Sequence, residues 1–293
     1  MSQLLLELLP CLVMGLLMGW RLPWLPAWLA PPLIHWGVPL SLAALLLRSE
    51  LSSRLIRVGM VGLLAPLLCL VLVLCCTPLR QRIGERVLLL GAAVGNTGYW
   101  GLPVALAVLP HQMMATAATF DLAGTFITWS VGPLVLMGDR GTVLRGITAM
   151  ARSPALRGVL LSALISQTPW RVALAQLLWW PARLTFALAL ALVGMRLGVT
   201  IRDRTLVVCE GLPWALALKL VGVPALVWLL ASLVHLSPME RQALVLQGAA
   251  PTALSVLLMA EAEQLAAPLA SSLVLCSTLL ALVTVPLWWV VIR

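Results

Sequence analysis

The chain has 293 residues, of which 62% are hydrophobic and 10% charged, with a mean hydropathy of +1.06. A soluble domain is roughly 45–50% apolar and about 25% charged, so no water-solvated core holds this composition and the bilayer must act as solvent. The formal net charge of +9 comes from arginines clustered between apolar runs, with Lys219 the only lysine, which is the pattern of cytoplasmic loops and excludes a nucleic-acid partner.

Inside lipid only helices or closed barrels satisfy the backbone, and nothing here alternates as barrel strands do. The expected fold class is therefore an all-α membrane protein. Breaking the apolar runs at proline and charge clusters predicts about ten transmembrane helices, at 3–20, 32–48, 58–76, 86–109, 112–137, 155–168, 174–196, 206–231, 241–262 and 268–291. The first stretch carries Glu7 and no basic leader, so it reads as a retained span rather than a cleaved signal. The sequence divides at a basic linker, 139–154, into two five-helix units, 1–138 and 155–293. Placing that linker in the cytoplasm gathers Arg21, Arg80, Arg82, Arg86, Arg196, Arg202 and Arg204 on the same side. It leaves Arg48, Arg54, Arg57, Arg171, Arg241 and Arg293 outside, which predicts a multi-pass inner-membrane protein with both termini periplasmic.

The six cysteines fall within apolar runs without CxxC spacing, and the three histidines lie far apart. No metal site, catalytic residue or cofactor is predicted, other than a coupling ion, H+ or Na+.

Two places break the apolar pattern. "GNTGYWGLP" (95–103) gathers Gly95, Asn96, Thr97, Gly98, Tyr99, Gly101 and Pro103, and "LQGAAPTALS" (246–255) gathers Gln247, Gly248, Pro251, Thr252 and Ser255. Glycine weakens a helix by about 1 kcal/mol relative to alanine, and an internal proline removes an N–H and strikes the carbonyl four residues back. "PVALAVL" from Pro103 matches "PTALSVL" from Pro251 at five of seven positions. This echo reads as a duplication, and an odd number of spans per unit makes it an inverted repeat. Paired interruptions in such repeats point to a binding site at the bilayer midplane. The restarting half-helices aim positive dipole ends at that site, which favours an anionic ligand. The expected opening points are Pro103 and Pro251.

"GNTGYWGLPVALAV" resembles the fourth-span signature of the auxin efflux carrier family, whose bacterial members include malonate and malate permeases. "ALALKLVGVPAL" (215–226) and "SSLVLCSTLLALVTVPLW" (271–288) are similar to its eighth and last spans. The resemblance implies a ten-helix fold akin to the bile-acid sodium symporters, with helices 4 and 9 broken and crossing at the substrate site. It further implies a scaffold of helices 1, 2, 6 and 7 and a moving core of the others. Asn96, Pro103 and Pro251 then take the crossover positions, and a homodimer through the scaffold helices is implied. The central linker lacks the length of the hydrophilic loop of the plant carriers.

Ionisable groups within spans are expensive and default to functional candidates. Asp121 shares a helix face with Thr125 and Thr128 and reads either as an ion-coupling site or as a structural hydrogen-bonding group. Lys219 could neutralise a carboxylate substrate or pair with Asp121 or Glu210. Glu261 is a further ion-coupling candidate by similarity to the sodium symporters. Tyr99 and Trp100 could stack on the apolar part of a substrate.

The expected function is a secondary transporter of small organic anions (malonate, malate or auxin-like acids) working by alternating access, and not an enzyme. The alternatives are a sodium-coupled organic-anion symporter, a drug/metabolite exporter, or a sensor that binds a carboxylate without moving it.

Overall fold

An apolar run in lipid has no solvent partner for its peptide groups and closes them within a helix; the described chain is helical almost throughout. The computed structural model describes residues 2–48, 52–138, 148, 151, 153–204 and 206–292, with side chains from residue 9 onward except that of Ala155. Most of the basic linker, with Arg140, Arg145 and Arg152, lies outside the described residues, as do Arg293 and the Glu7 side chain.

In chain order, α1 is Ser2–Arg21, α2 Leu25–Leu47, α3 Ser53–Cys75 and α4 the short Thr77–Ile83. Next come α5 (Arg86–Ala93) and α6 (Leu102–Val108), the latter led in by a widened π-helical turn at Thr97–Gly101. They are followed by α7 (Met114–Met137), α8 (Pro154–Ser166), α9 (Arg171–Leu177) and α10 (Trp179–Arg202). The chain closes with α11 (Gly211–Leu233), α12 (Pro238–Gly248), α13 (Leu254–Ala262) and α14 (Ala267–Val291). Among the described residues, six helical stretches are long and apolar enough to cross a bilayer: α2, α3, α7 with the turn before it, α9 joined to α10, α11 and α14.

Local chemistry sets the helix ends. Ser52 and Ser153 cap α3 and α8, and Ser237 forms a reciprocal capping box with Glu240 at the start of α12, satisfying N–H groups that the first turn leaves free. The second predicted span begins earlier than its proline pair suggested. Pro31 and Pro32 lie inside the helix, and a π-helical turn at Leu33–Gly37 follows them. That wide turn ends two residues before Pro39, whose ring would otherwise strike the carbonyl of His35 four residues back.

Helices in lipid gain little from hiding apolar surface, so close backbone approach decides their pairing. α1 and α10 meet through two glycine pairs. A Cβ on Gly15 or Gly19 would overlap the backbone of Ala191 or Met195, and one on Gly194 or Gly198 that of Leu12 or Leu16. α8 packs on α2 in the same manner, with Gly158 against Leu42 and the Pro39 carbonyl.

Two helices are interrupted. The first stops at Ala93 and resumes at Thr97; the second stops at Gly248 and resumes at Leu254. The gaps meet as a short antiparallel contact. Asn96 N donates to Pro251 O at 2.7 Å and Ala253 N to Val94 O at 3.2 Å, with Gly95 opposite Thr252.

This corrects the expected opening point in the first helix. Pro103 lies buried in the first turn of α6, where the wide turn before it supplies a Leu102 N to Thr97 O bond; the chain opens at Gly95 and Asn96 instead. The sequence echo is out of register for the same reason, because it pairs a proline in a helix with a proline in a gap. The two crossing bonds exchange under a shift of 157 residues, the separation of Gly95 from Thr252. The same shift carries Gly91 onto Gly248.

Candidate functional site

Cutting a helix leaves carbonyls at the end of one half and N–H groups at the start of the next. Both breaks lie at the crossing, so the ends of α5 and α12 and the starts of the π-turn and α13 come together there. A cavity lies on either side of the contact.

The first cavity has a volume of about 120 Å³, where a single water needs about 10–15 Å³ of such space. Its walls come from the first break (Gly95, Asn96, Thr97, Gly98, Tyr99), from α7 (Asp121, Thr125, Thr128, Trp129) and from the start of α13 (Leu254, Ser255, Leu258). Across from these stand Ile34, Val38, Ser41 and Leu42 of α2 and Thr185, Phe186 and Ala189 of α10. The Thr97 hydroxyl donates to the Asp121 carboxylate at 2.5 Å, and both residues are buried. Asn96 is 4% exposed, and its Nδ2 has no hydrogen-bond partner among the described residues. A buried amide normally finds a partner, and this residue lines the first cavity. Asp121 is the one charged side chain among the described lining residues.

The second cavity is small, about 20 Å³, room for a single water. Gly95, Thr97 and Thr128 line it as well as the first, and Lys219, Gln247 and Gly248 complete its polar wall. Lys219 is fully buried in a π-helical turn of α11, and its Nζ donates to Gly248 O at 2.8 Å. It does not line the first cavity, and among the described residues it makes no ion pair with Asp121 or Glu210. Gln247 is fully buried with both ends of its amide unpartnered among the described residues, and it fills the space that a Cβ on Gly101 would take.

The predicted site residues therefore divide. Asn96, Thr97, Gly98, Tyr99, Asp121 and Thr125 face the first cavity; Lys219, Gln247 and Gly248 face the second; Pro103, Pro251 and Thr252 line neither. Thr252 builds the crossing, since its Oγ1 donates to Gly91 O at 3.0 Å and its N–H to Ser277 Oγ at 3.0 Å. Trp100 is buried in the hydrophobic core and not at the cavity. Glu261 lies exposed at the end of α13 with Arg196 Nη1 3.7 Å from its carboxylate, apart from both cavities. Sequence reasoning missed Ser41 and Thr185. Both spend their hydroxyls on the carbonyl four residues back, Gly37 and Pro181, and a lone Ser or Thr in an apolar helix does this anywhere.

Long apolar helices packed around two broken, mutually bonded ones, with a largely apolar cavity bearing a few polar groups at the crossing, make this a multi-pass integral membrane protein, and the comparisons make it one of the transporter class. Residues 185–293, which carry the second break, match the model of the Sodium Bile acid symporter family. The chain is 23% identical over 219 residues to the "Uncharacterized transporter MJ1031" of Methanocaldococcus jannaschii, covering 73% of this chain and 70% of that protein. Both point to a transporter rather than an enzyme.

Proposed function

We propose that the protein is a secondary carrier of small organic anions that works by alternating access at the crossing. The observation that carries the reading is the Asn96 side chain, buried with a free donor beside two half-helix N-termini and facing a cavity between α2, α10 and the crossing. N–H groups and positive dipole ends favour a carboxylate there.

In this reading the described helices make ten spans in two inverted units of five, related by the 157-residue shift. A scaffold of α1, α2, α8 and α9 with α10 faces a moving core. The resemblance of residues 95–108 to the auxin efflux carrier signature supports that finer family in this reading and, with it, carboxylates of the malonate, malate or auxin-like type. Asp121 carries the coupling proton, and its hydrogen bond to Thr97 ties that proton to the break.

A second reading puts sodium at Asp121. It is favoured by the solitary negative charge among the lining residues and by the match to a sodium symporter family model.

Uptake of labelled malonate, malate and indole-acetate into proteoliposomes, with imposed proton or sodium gradients, tests both. Carboxylate uptake driven by a proton gradient is expected. Transport of cations or sugars with no carboxylate recognised would overturn the reading.

A further inference from the structure

The two broken helices end alike and are capped unlike. The 157-residue shift places Gly91, near the end of α5, in the position of Gly248, at the end of α12. Each carbonyl belongs to a last helical turn, whose carbonyls the helix itself leaves free. The Gly91 carbonyl receives the neutral hydroxyl of Thr252, whereas the Gly248 carbonyl receives the ammonium of Lys219.

The difference follows from one residue. The position equivalent to Thr252 is Gly95, which has no side chain with which to cap Gly248. A Cβ on Gly95 would stand 3.3 Å from Lys219 Nζ, so the ammonium fills the space that a side chain would have used. There it lies against the backbone just beyond α5 as well as on the end of α12. The negative dipole end of α12 is thus met by the ammonium, with the open backbone beyond α5 beside it.

Unwound carbonyls and half-helix C-terminal ends are where carriers built from broken helices hold a coupling cation. We propose that the Lys219 ammonium is a tethered cation occupying that place, so that the crossing closes without sodium. A fully buried lysine with no carboxylate partner among the described residues is costly unless its charge is compensated, and the Gly248 carbonyl at the negative end of α12 provides part of that compensation. The inference deepens the carrier reading and rests on it for one consequence. With the cation covalently attached, an ion that moves with the substrate must bind elsewhere, and Asp121 in the first cavity remains for a proton.

The test is thermal unfolding of the purified full chain in sodium chloride against choline chloride at equal ionic strength. Unmodified protein should melt at the same temperature in both, and a sodium-specific rise would overturn the proposal. Lys219→Ala should melt at least about 5 °C lower in choline and recover in sodium or methylammonium chloride, because a free cation can enter the vacated space. Lys219→Met keeps most of the length, loses the charge and fills most of the space, so it should melt low and recover in neither salt. Should Lys219→Ala fail to survive purification in choline, recovery when purified in methylammonium supports the proposal, and failure in every cation overturns it. Lys219→Ala as stable as the unmodified protein also overturns it. These readouts need no substrate. A chain that carried no carboxylate could still pass, and a carboxylate carrier stabilised by sodium would fail this test alone.

Discussion

Asp121 and Lys219 address the same break in the polypeptide from two different cavities. The Asp121 carboxylate accepts from Thr97, the first residue of the resumed helix, while Lys219 Nζ lies against Gly95 and donates to the end of the other broken helix. Each charge has the sign that its helix end favours, negative at an N-terminal turn and positive at a C-terminal one. The crossing is thus pinned by two buried charges that touch neither each other nor, in the case of Lys219, the first cavity.

Asp121→Asn separates the charge from the hydrogen bond. The amide keeps an oxygen for the Thr97 hydroxyl, so the melting temperature should hold within a few degrees. Hydrogen bonds to charged groups are worth about 1.5–3 kcal/mol, roughly ten- to a hundredfold. Gradient-driven accumulation should fall by that factor, while substrate exchange without a gradient persists. Equal accumulation by variant and parent in proteoliposomes would remove Asp121 from coupling.

Asn96→Ala should do the reverse of a structural mutation. The crossing uses the Asn96 backbone N–H, bonded to Pro251 O, and truncating the side chain leaves that bond alone. Its Nδ2 has no partner to lose among the described residues, so stability should change by less than about 1 kcal/mol. Uptake should fall at least about tenfold, the value of one hydrogen bond to a charged ligand. Unfolding of the variant together with normal uptake by whatever survives would make the amide structural.

The helices and the breaks were legible because both are local. Apolar length gives a span, and Gly95, Asn96 and Pro251 have the residue chemistry of open backbone. What failed was azimuth and register. Lys219 is deep by sequence position, but depth does not say on which side of the crossing a side chain falls; it depends on α11 presenting its π-turn to Gly248. Pro103 signalled a break and sits in a helix, because the wide turn at Thr97–Gly101 absorbs it. The echo at Pro103 and Pro251 is out of register with the exchange of the two crossing bonds, since a short apolar match aligns composition rather than geometry. Glu261 was a candidate by similarity, and its place at the exposed end of α13 follows from where that helix stops.

The glycine spacing at 15–19 and 194–198 was present in the sequence and overlooked, and it yields a sharp contrast. Gly19→Val would drive a side chain into the Met195 backbone, which cannot step aside as a flexible side chain would. It should separate α1 from α10 and cost more than about 3 kcal/mol, the scale reserved for buried overlap and cavities. Gly59→Ala on α3 meets nothing nearer than Thr119 Cγ2 at 3.8 Å and should be neutral or stabilising by up to about 1 kcal/mol. Thermal unfolding in detergent reads both. Similar losses at the two positions would mean that glycine matters for propensity and not for contact.

Thr252 offers the last discriminating substitution, because its hydroxyl and its backbone serve different partners. Oγ1 caps the Gly91 carbonyl and the N–H meets Ser277 Oγ, with no exposure of the residue at all. Thr252→Val keeps the branched shape and the N–H bond but strands a buried carbonyl, which costs about 1–3 kcal/mol. Thr252→Ser keeps the hydroxyl and loses only a methyl, about 0.8 kcal/mol of apolar burial. The valine variant should therefore melt several degrees below the serine variant, in any salt, since its capping group was neutral from the start. That indifference to salt contrasts with the cation response expected at Lys219 on the equivalent carbonyl. If the two Thr252 variants melt together, the hydroxyl is not the cap of α5, and the unequal treatment of Gly91 and Gly248 loses its physical basis.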